Sequence, residues 1–258
     1  MAEARNLAEY VARYNEDSGF ERIMVEYRRR LVLERLTALA PRTGVEVGCG
    51  SELVAAHYPT AHSGFRKWVI VEPSAEFAKA AAAVNLPNVA VVENVIEAAK
   101  QQVLDELGEA PDAIVIASVL HEVIDPRSLL QAAVSIMGDR TSLHVNVPNA
   151  DSLHRQLAVA MGMARNVAEL SARNLTLLQN RVYTLASLRE AIEEVGLRVC
   201  GTGGFFLKLL THEQMQLLLN ALEKGGAQVQ SILDGLDKLG RDRPEMASEI
   251  FIEATKAK

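Results

Sequence analysis

The run VEVGCGSE sets four residues able to do chemistry close together: Glu46 inside a short apolar run, Gly48 and Gly50 around Cys49, and Glu52 where a third glycine would complete G-x-G-x-G. An apolar strand entering a glycine turn and then a helix is a site for a nucleotide-like ligand, because glycine lets the backbone come close and the helix start offers unpaired amides. A dinucleotide would require G-x-G-x-x-G, and Leu53 occupies its last position, so that assignment fails. The acid at Glu46 suits a cationic group instead. Glu72 closes the apolar run KWVIV about 20 residues past the glycines, where a doubly wound fold sets an acid against the vicinal hydroxyls of a ribose. His121, in VLHEVIDP, follows another apolar run, and an imidazole there suits general-base work near neutral pH.

Alternating strand and helix signals must position these groups, which predicts an α/β sheet of mostly parallel strands. The expected strands are Val45 to Val47, Trp68 to Val71, Val89 to Val92, Ala113 to Ala117, Ser142 to Val147, Leu197 to Gly201 and Glu249 to Ala254. Ahead of them, Ala2 to Leu39 has helical period, with Ile23, Tyr27, Leu31 and Val32 on one face and Pro41 and Gly44 punctuating its end. A chain of 258 residues with 49% hydrophobic content can bury a substantial core. Its net charge of -6 argues against affinity for nucleic acid or anionic membrane, which clustered Lys and Arg would drive. Two cysteines, Cys49 and Cys200, no signal-peptide pattern after Met1 and no long apolar run make a cytoplasmic protein the expectation.

Four segments, VEVGCG, VIVEPS, DAIVIASVLHEVIDPRSLL and HVNVPN, resemble the class I S-adenosylmethionine-dependent methyltransferases, and the resemblance extends through most of residues 43 to 258. It implies a Rossmann-like doubly wound seven-stranded sheet with its last strand antiparallel, N-terminal helices (1–41) acting as a cap, and a cofactor domain (42–258). It also implies S-adenosylmethionine as cofactor, with the backbone at Gly48 and Gly50 against its methionyl and ribose part and Glu46 orienting its ammonium. Glu72 would hold the ribose hydroxyls, Asn94 and Val95 would stand by the adenine, and Ser118 would meet the ammonium through its carbonyl. His121 would act as general base. Glu52 departs from the family pattern. Three accounts stay open for it: a first-turn acid facing water, a group facing the cofactor's positive charge, or the mark of a fold kept without catalysis by a regulatory or scaffold protein.

Two stretches exceed a plain core of that family, about 151–182 and about 203–247, and would form helical lid insertions over a small-molecule acceptor. His154, Arg155, Tyr183 and Lys208 are their candidate substrate-binding residues. The acceptor would present oxygen or nitrogen, as in a sugar or specialised metabolite, and a homodimer is a possible assembly. Arg28 to Arg30 is expected to be a solvated face, Tyr10, Tyr14 and Tyr27 to pack, and Cys49 to be a small buried residue. Glu122 and Asp125 are expected to start a helix, Asp125 capping ahead of Pro126. The histidines His57, His62, His144, His154 and His212 lack metal-ligand spacing, so no metal is expected.

Overall fold

The computed structural model describes residues 9, 11–12, 19–58 and 64–257, which leaves Tyr10, Tyr14 and His62 outside the described residues. Within it, seven strands form one sheet in the order β3-β2-β1-β4-β5-β7-β6. The strands are β1 (Thr43–Val47), β2 (Lys67–Val71), β3 (Val89–Val92), β4 (Ala113–Ala117), β5 (Ser142–Pro148), β6 (Leu197–Phe205) and β7 (Glu249–Lys256). β1 to β5 pair in parallel, whereas β7 runs antiparallel to both β5 and β6. The sheet and its antiparallel last strand are those the family resemblance implies.

The strands read as unbroken apolar runs because both faces are covered. Val69 and Val71 join one core with Val45, Val47, Ile114 and Ile116, while Trp68 and Ile70 point to the other face with Ala113 and Val115. On the first face lie α3 (Ile96–Leu107), α4 (Pro126–Ile136) and α7 (Leu185–Glu193), which follow β3, β4 and β5 in the chain. α4 starts as expected, Asp125 accepting from Ser128 N at 3.0 Å with Pro126 in the first turn.

The second face is closed mainly by α1 (Phe20–Leu39), whose Val32 and Leu36 pack with Leu53, Val54 and Trp68. α2 (Ala75–Ala83) contributes Ala81 there. The helix expected directly after the glycines is absent: one 3-10 turn, Val54–Ala56, stands in its place among the described residues. Further along, α1 joins Phe205, Phe206, Met215 and Leu233 in a third core, so the N-terminal helix and the second insertion bury each other.

That insertion begins later than expected, because β6 continues to Phe205, and it contains α8 (His212–Lys224) and α9 (Val229–Asp242). The first insertion holds α5 (Leu153–Ala160) and the short α6 (Ala172–Thr176). No described helix is long and apolar enough to cross a membrane.

Candidate active site

The order of strands reverses between β1 and β4, which is where open α/β sheets bind ligands beyond their strand ends. The glycine loop after β1 and the turn after β4 meet there. Gly48 adopts φ +74 and Gly50 φ +53, and a Cβ on Gly48 would lie 2.6 Å from Val119 Cγ2, so only glycine fits against the β4 turn. Ser118 opens that turn at φ +57 and donates its amide to Asn146 O at 3.0 Å.

A cavity of about 1400 Å³ opens from this point. Its wall takes residues from the ends of β1, β2 and β4, from α1, from both insertions and from Glu249, which the antiparallel direction of β7 brings to the same edge. Of the sequence-predicted residues, Glu46, Gly48, Gly50, Glu72, Val95, Ser118, His121, His154, Arg155 and Lys208 all line it.

Two do not. Tyr183 is buried in the main core and bridges to Asn149 through backbone, so the site loses a residue whose polarity suggested the pocket. Asn94 turns its Oδ1 to the amide of Val95 at 2.9 Å, and the acid on the wall nearby is Glu97, in the first turn of α3.

The acids at the strand ends are tied to backbone. Glu46, 3% exposed, accepts from Val54 N at 2.9 Å and Ala55 N at 3.2 Å, so it fastens the 3-10 turn that replaces the expected helix. Burial pushes its carboxyl up to about 7 against the pull of those amides. Glu72 accepts from Cys49 N at 3.0 Å, Gly50 N at 3.2 Å and Ser74 N at 2.8 Å, bracing the glycine loop from the next strand. Burial and the neighbouring Glu72 raise the Cys49 thiol, as fits a packed residue.

Glu52 stands on the cavity wall, at its exposed edge. Its side chain is 48% exposed and accepts from Arg29 Nη1 at 2.7 Å. Arg28 departs from the solvated face expected for its triplet: it is largely buried and pairs with Glu21 at 3.1 Å and with Glu249 at 2.5 Å. Arg30 does lie outward, over the Tyr27 ring and against Asp234, while Tyr27 packs on Phe206 rather than on the cavity. Glu122 also departs from its expected helix-start role, since it is buried on the cavity wall within 3.8 Å of His121 Nε2.

The lid side carries the groups that sequence reasoning missed. Lys208 Nζ stands 3.0 Å from His212 Nδ1, and His212 Nε2 stands 3.0 Å from Glu21 Oε2, to which Arg173 also donates at 3.1 Å. Burial, with Lys208 beside it, pushes His212 down to about 4, so it is neutral and its proton belongs on Nε2 facing Glu21. One signal for Glu21 and Arg28 was present: both fall between the helical stripe of Phe20, Met24, Tyr27 and Leu31 and the buried Val32, inside the covered arc where a charge has to find a partner. Among the described residues no group of three or more His, Cys, Asp or Glu is placed to hold a metal.

A doubly wound sheet with a glycine loop and an acid at the adjoining strand end defines a nucleotide-type α/β enzyme. The methyltransferase domain family matches residues 21–202, and the chain belongs to that family, as a class I S-adenosylmethionine-dependent methyltransferase. No curated protein matches it in sequence. Among solved structures, the plantazolicin methyltransferase BamL superposes with a TM-score of 0.59 at 14% identity, covering 98% of this chain and 97% of that one. The N-methyltransferase NodS of Bradyrhizobium japonicum WM9 gives 0.51 at 12% identity, covering 94% and 90%. The O-methyltransferase NcsB1 from neocarzinostatin biosynthesis gives 0.51 at 15% identity, covering 89% of this chain and 56% of its own.

Proposed function

We propose that the protein transfers a methyl group from S-adenosylmethionine to an oxygen or nitrogen of a small-molecule acceptor, such as a sugar or a specialised metabolite. The observation that carries this is the single cavity running from the glycine loop to the insertion helices, with room for a cofactor and an acceptor together. The structural neighbours add support: one methylates in neocarzinostatin biosynthesis, and another was crystallised with a plantazolicin analogue.

The residues at the strand ends fit the cofactor. A carboxylate offers about four acceptor sites. Glu46 uses two on backbone amides, and Glu72 Oε1 takes Ser74 N alone while its Oε2 takes Cys49 N, Cys49 Sγ and Gly50 N, so each carboxylate keeps capacity toward the cavity. Glu72 then takes a ribose hydroxyl, Glu46 faces the ammonium, and the Gly48–Gly50 backbone admits the methionyl part. Val95 borders the adenine, with Glu97 supplying the acid that Asn94 does not bring. The Ser118 carbonyl also receives the ammonium.

S-adenosylmethionine supplies a methyl already activated by its sulfonium, so the chain's own contribution is alignment and exclusion of water. The insertion helices close over the acceptor. His121, buried at the mouth of the β4 turn, takes the proton that a hydroxyl acceptor must lose.

Calorimetric titration with S-adenosylmethionine and S-adenosylhomocysteine tests the assignment. Both are expected to bind, and Glu72→Gln is expected to weaken both by about 1.5–3 kcal/mol, the worth of a hydrogen bond to a charged group. Failure of either to bind the native protein would remove the methyltransferase function.

A further inference from the structure

The cavity is divided by charge. Its glycine-loop side presents Glu46 and Glu72, which suit the positive end of the cofactor, whereas its lid side is crowded with cations. Of the carboxylates on that side, Glu21 is engaged by Arg28, Arg173 and His212, Glu249 by Arg28, Asn146 and Ser118, and Glu169 by Arg165, while Glu213 is exposed. Two further cations face the cavity without a carboxylate of their own. Arg155 spends its guanidinium on the carbonyls of Val167 and Glu169 and the amide oxygen of Asn174, all neutral. Lys208 is 5% exposed, and its one described hydrogen bond goes to the neutral His212.

An ammonium has three N–H donors, so two of those on Lys208 remain for a ligand. A buried cation is ordinarily paired, because taking it out of water is costly. The cost is visible here, burial pushing Lys208 down to about 7 even though Glu21 and Glu249 act to raise it. Beside it, the buried Nδ1 of His154 has no hydrogen-bond partner, and burial together with Lys208 and Arg155 keeps that ring uncharged. A protein of net charge -6 that nevertheless sets two cations with only neutral direct partners around one cavity has built a place for an anion.

The strand order sets this lysine apart from the glycine loop. Lys208 follows β6, at the far end of the sheet from β1 and β2, and β4, β5 and β7 stand between. We infer that the methyl acceptor carries an anionic group, a carboxylate or a phosphate, which Lys208 binds on the lid side of the cavity. This rests on the methyltransferase assignment and adds the substrate class to it. Arg155 shapes the same pocket, holding the α5–α6 segment closed while its charge adds to the field that draws the anion in.

The test uses the full chain saturated with S-adenosylhomocysteine and three probes of one shape: benzoate, phenyl phosphate and the neutral benzamide. Benzoate or phenyl phosphate is expected to bind and benzamide not, the better of the two naming the anion. Lys208→Met is expected to weaken the anion by about tenfold or more, a loss of 1.4 kcal/mol per tenfold, and Lys208→Arg to retain most of it. S-adenosylhomocysteine affinity should stay unchanged in both variants, which also reports that they fold. Equal binding of benzamide, or of the anion to Lys208→Met, would overturn the inference while leaving the methyltransferase function standing. A loss of S-adenosylhomocysteine affinity in Lys208→Met would overturn it too, by showing that the lysine serves the cofactor. Failure of the native protein to bind S-adenosylhomocysteine at all would take both down together.

Discussion

Arg28 grips Glu249 across 221 residues of chain, its Nε shared between Oε1 at 3.1 Å and Oε2 at 3.0 Å and its Nη2 donating to Oε1 at 2.5 Å. This fork fastens the N-terminal helix to the start of β7 at the cavity's edge, and Asn146 of β5 donates to the same carboxylate at 2.7 Å. The pair is therefore both a structural clasp and part of the cavity wall.

Removing one partner of such a clasp leaves the other charge buried and alone. Arg28→Ala is expected to cost about 3–5 kcal/mol of stability, measured by urea unfolding. The double variant Arg28→Ala/Glu249→Gln should lose less than the sum of the two single changes, since the charge left unpaired by the first is removed by the second. A single-variant loss under about 1 kcal/mol, the range of an exposed pair, would contradict the clasp.

Glu52 behaves oppositely, because its contact with Arg29 lies in solvent, with side-chain exposures of 48% and 27%. Glu52→Gly should change stability by no more than about 0.2–1 kcal/mol. Affinity for S-adenosylhomocysteine should move by less than about fivefold. A larger loss in calorimetric titration would make Glu52 a ligand-facing group after all.

These two residues also mark what could be read from the sequence. All seven strands were legible because a sheet covered on both faces writes its strands as continuous apolar runs; β1, β2, β5 and β7 run one or two residues longer than those runs and β6 runs four longer. The helix after the glycines was not. The strand and glycine turn called for it, but Glu46 takes the amides of Val54 and Ala55 for a single tight turn. Tyr183 was misplaced for a similar reason, since a tyrosine's polarity says nothing of which side of a strand end it will face. The polar cluster on the lid side came from three separate segments, α1, the first insertion and the start of the second, and only the folded chain brings Glu21, Arg173, His212 and Lys208 together.

Lys208 should impose a pH dependence on stability. Its folded-state value, about 7, lies below its ordinary value of 10.5, so between those limits the unfolded chain holds a proton that the folded chain has released. Stability contributed by this group therefore rises with pH across that window. The charges around it are Glu21, Glu249, Arg173 and Arg155, with His212 neutral. Lys208→Met removes the dependence, so its melting temperature should exceed that of the native protein most at about pH 6 and converge on it as pH approaches 10.5, by about 2–4 °C for each kcal/mol relieved. Calorimetric melts of both proteins across this range check it, and a gain that is constant with pH would mean the lysine is not strained by burial.

His121 separates the chemical alternatives for the acceptor. It is 2% exposed, lines the cavity, and holds its Nε2 3.8 Å from the Glu122 carboxylate. A hydroxyl acceptor has to shed its proton during attack, and a positioned base contributes about 10²–10⁴-fold to such a step. His121→Ala should then lower single-turnover methyl transfer by that order, flatten the acidic limb of its pH profile, and leave S-adenosylhomocysteine binding nearly unchanged. With an acceptor that is already a neutral amine, the lone pair is available and the same change should cost far less, acting through packing alone. A variant that keeps both rate and pH profile with a hydroxyl acceptor would take His121 out of the mechanism and leave alignment of the acceptor against the sulfonium as the main source of rate.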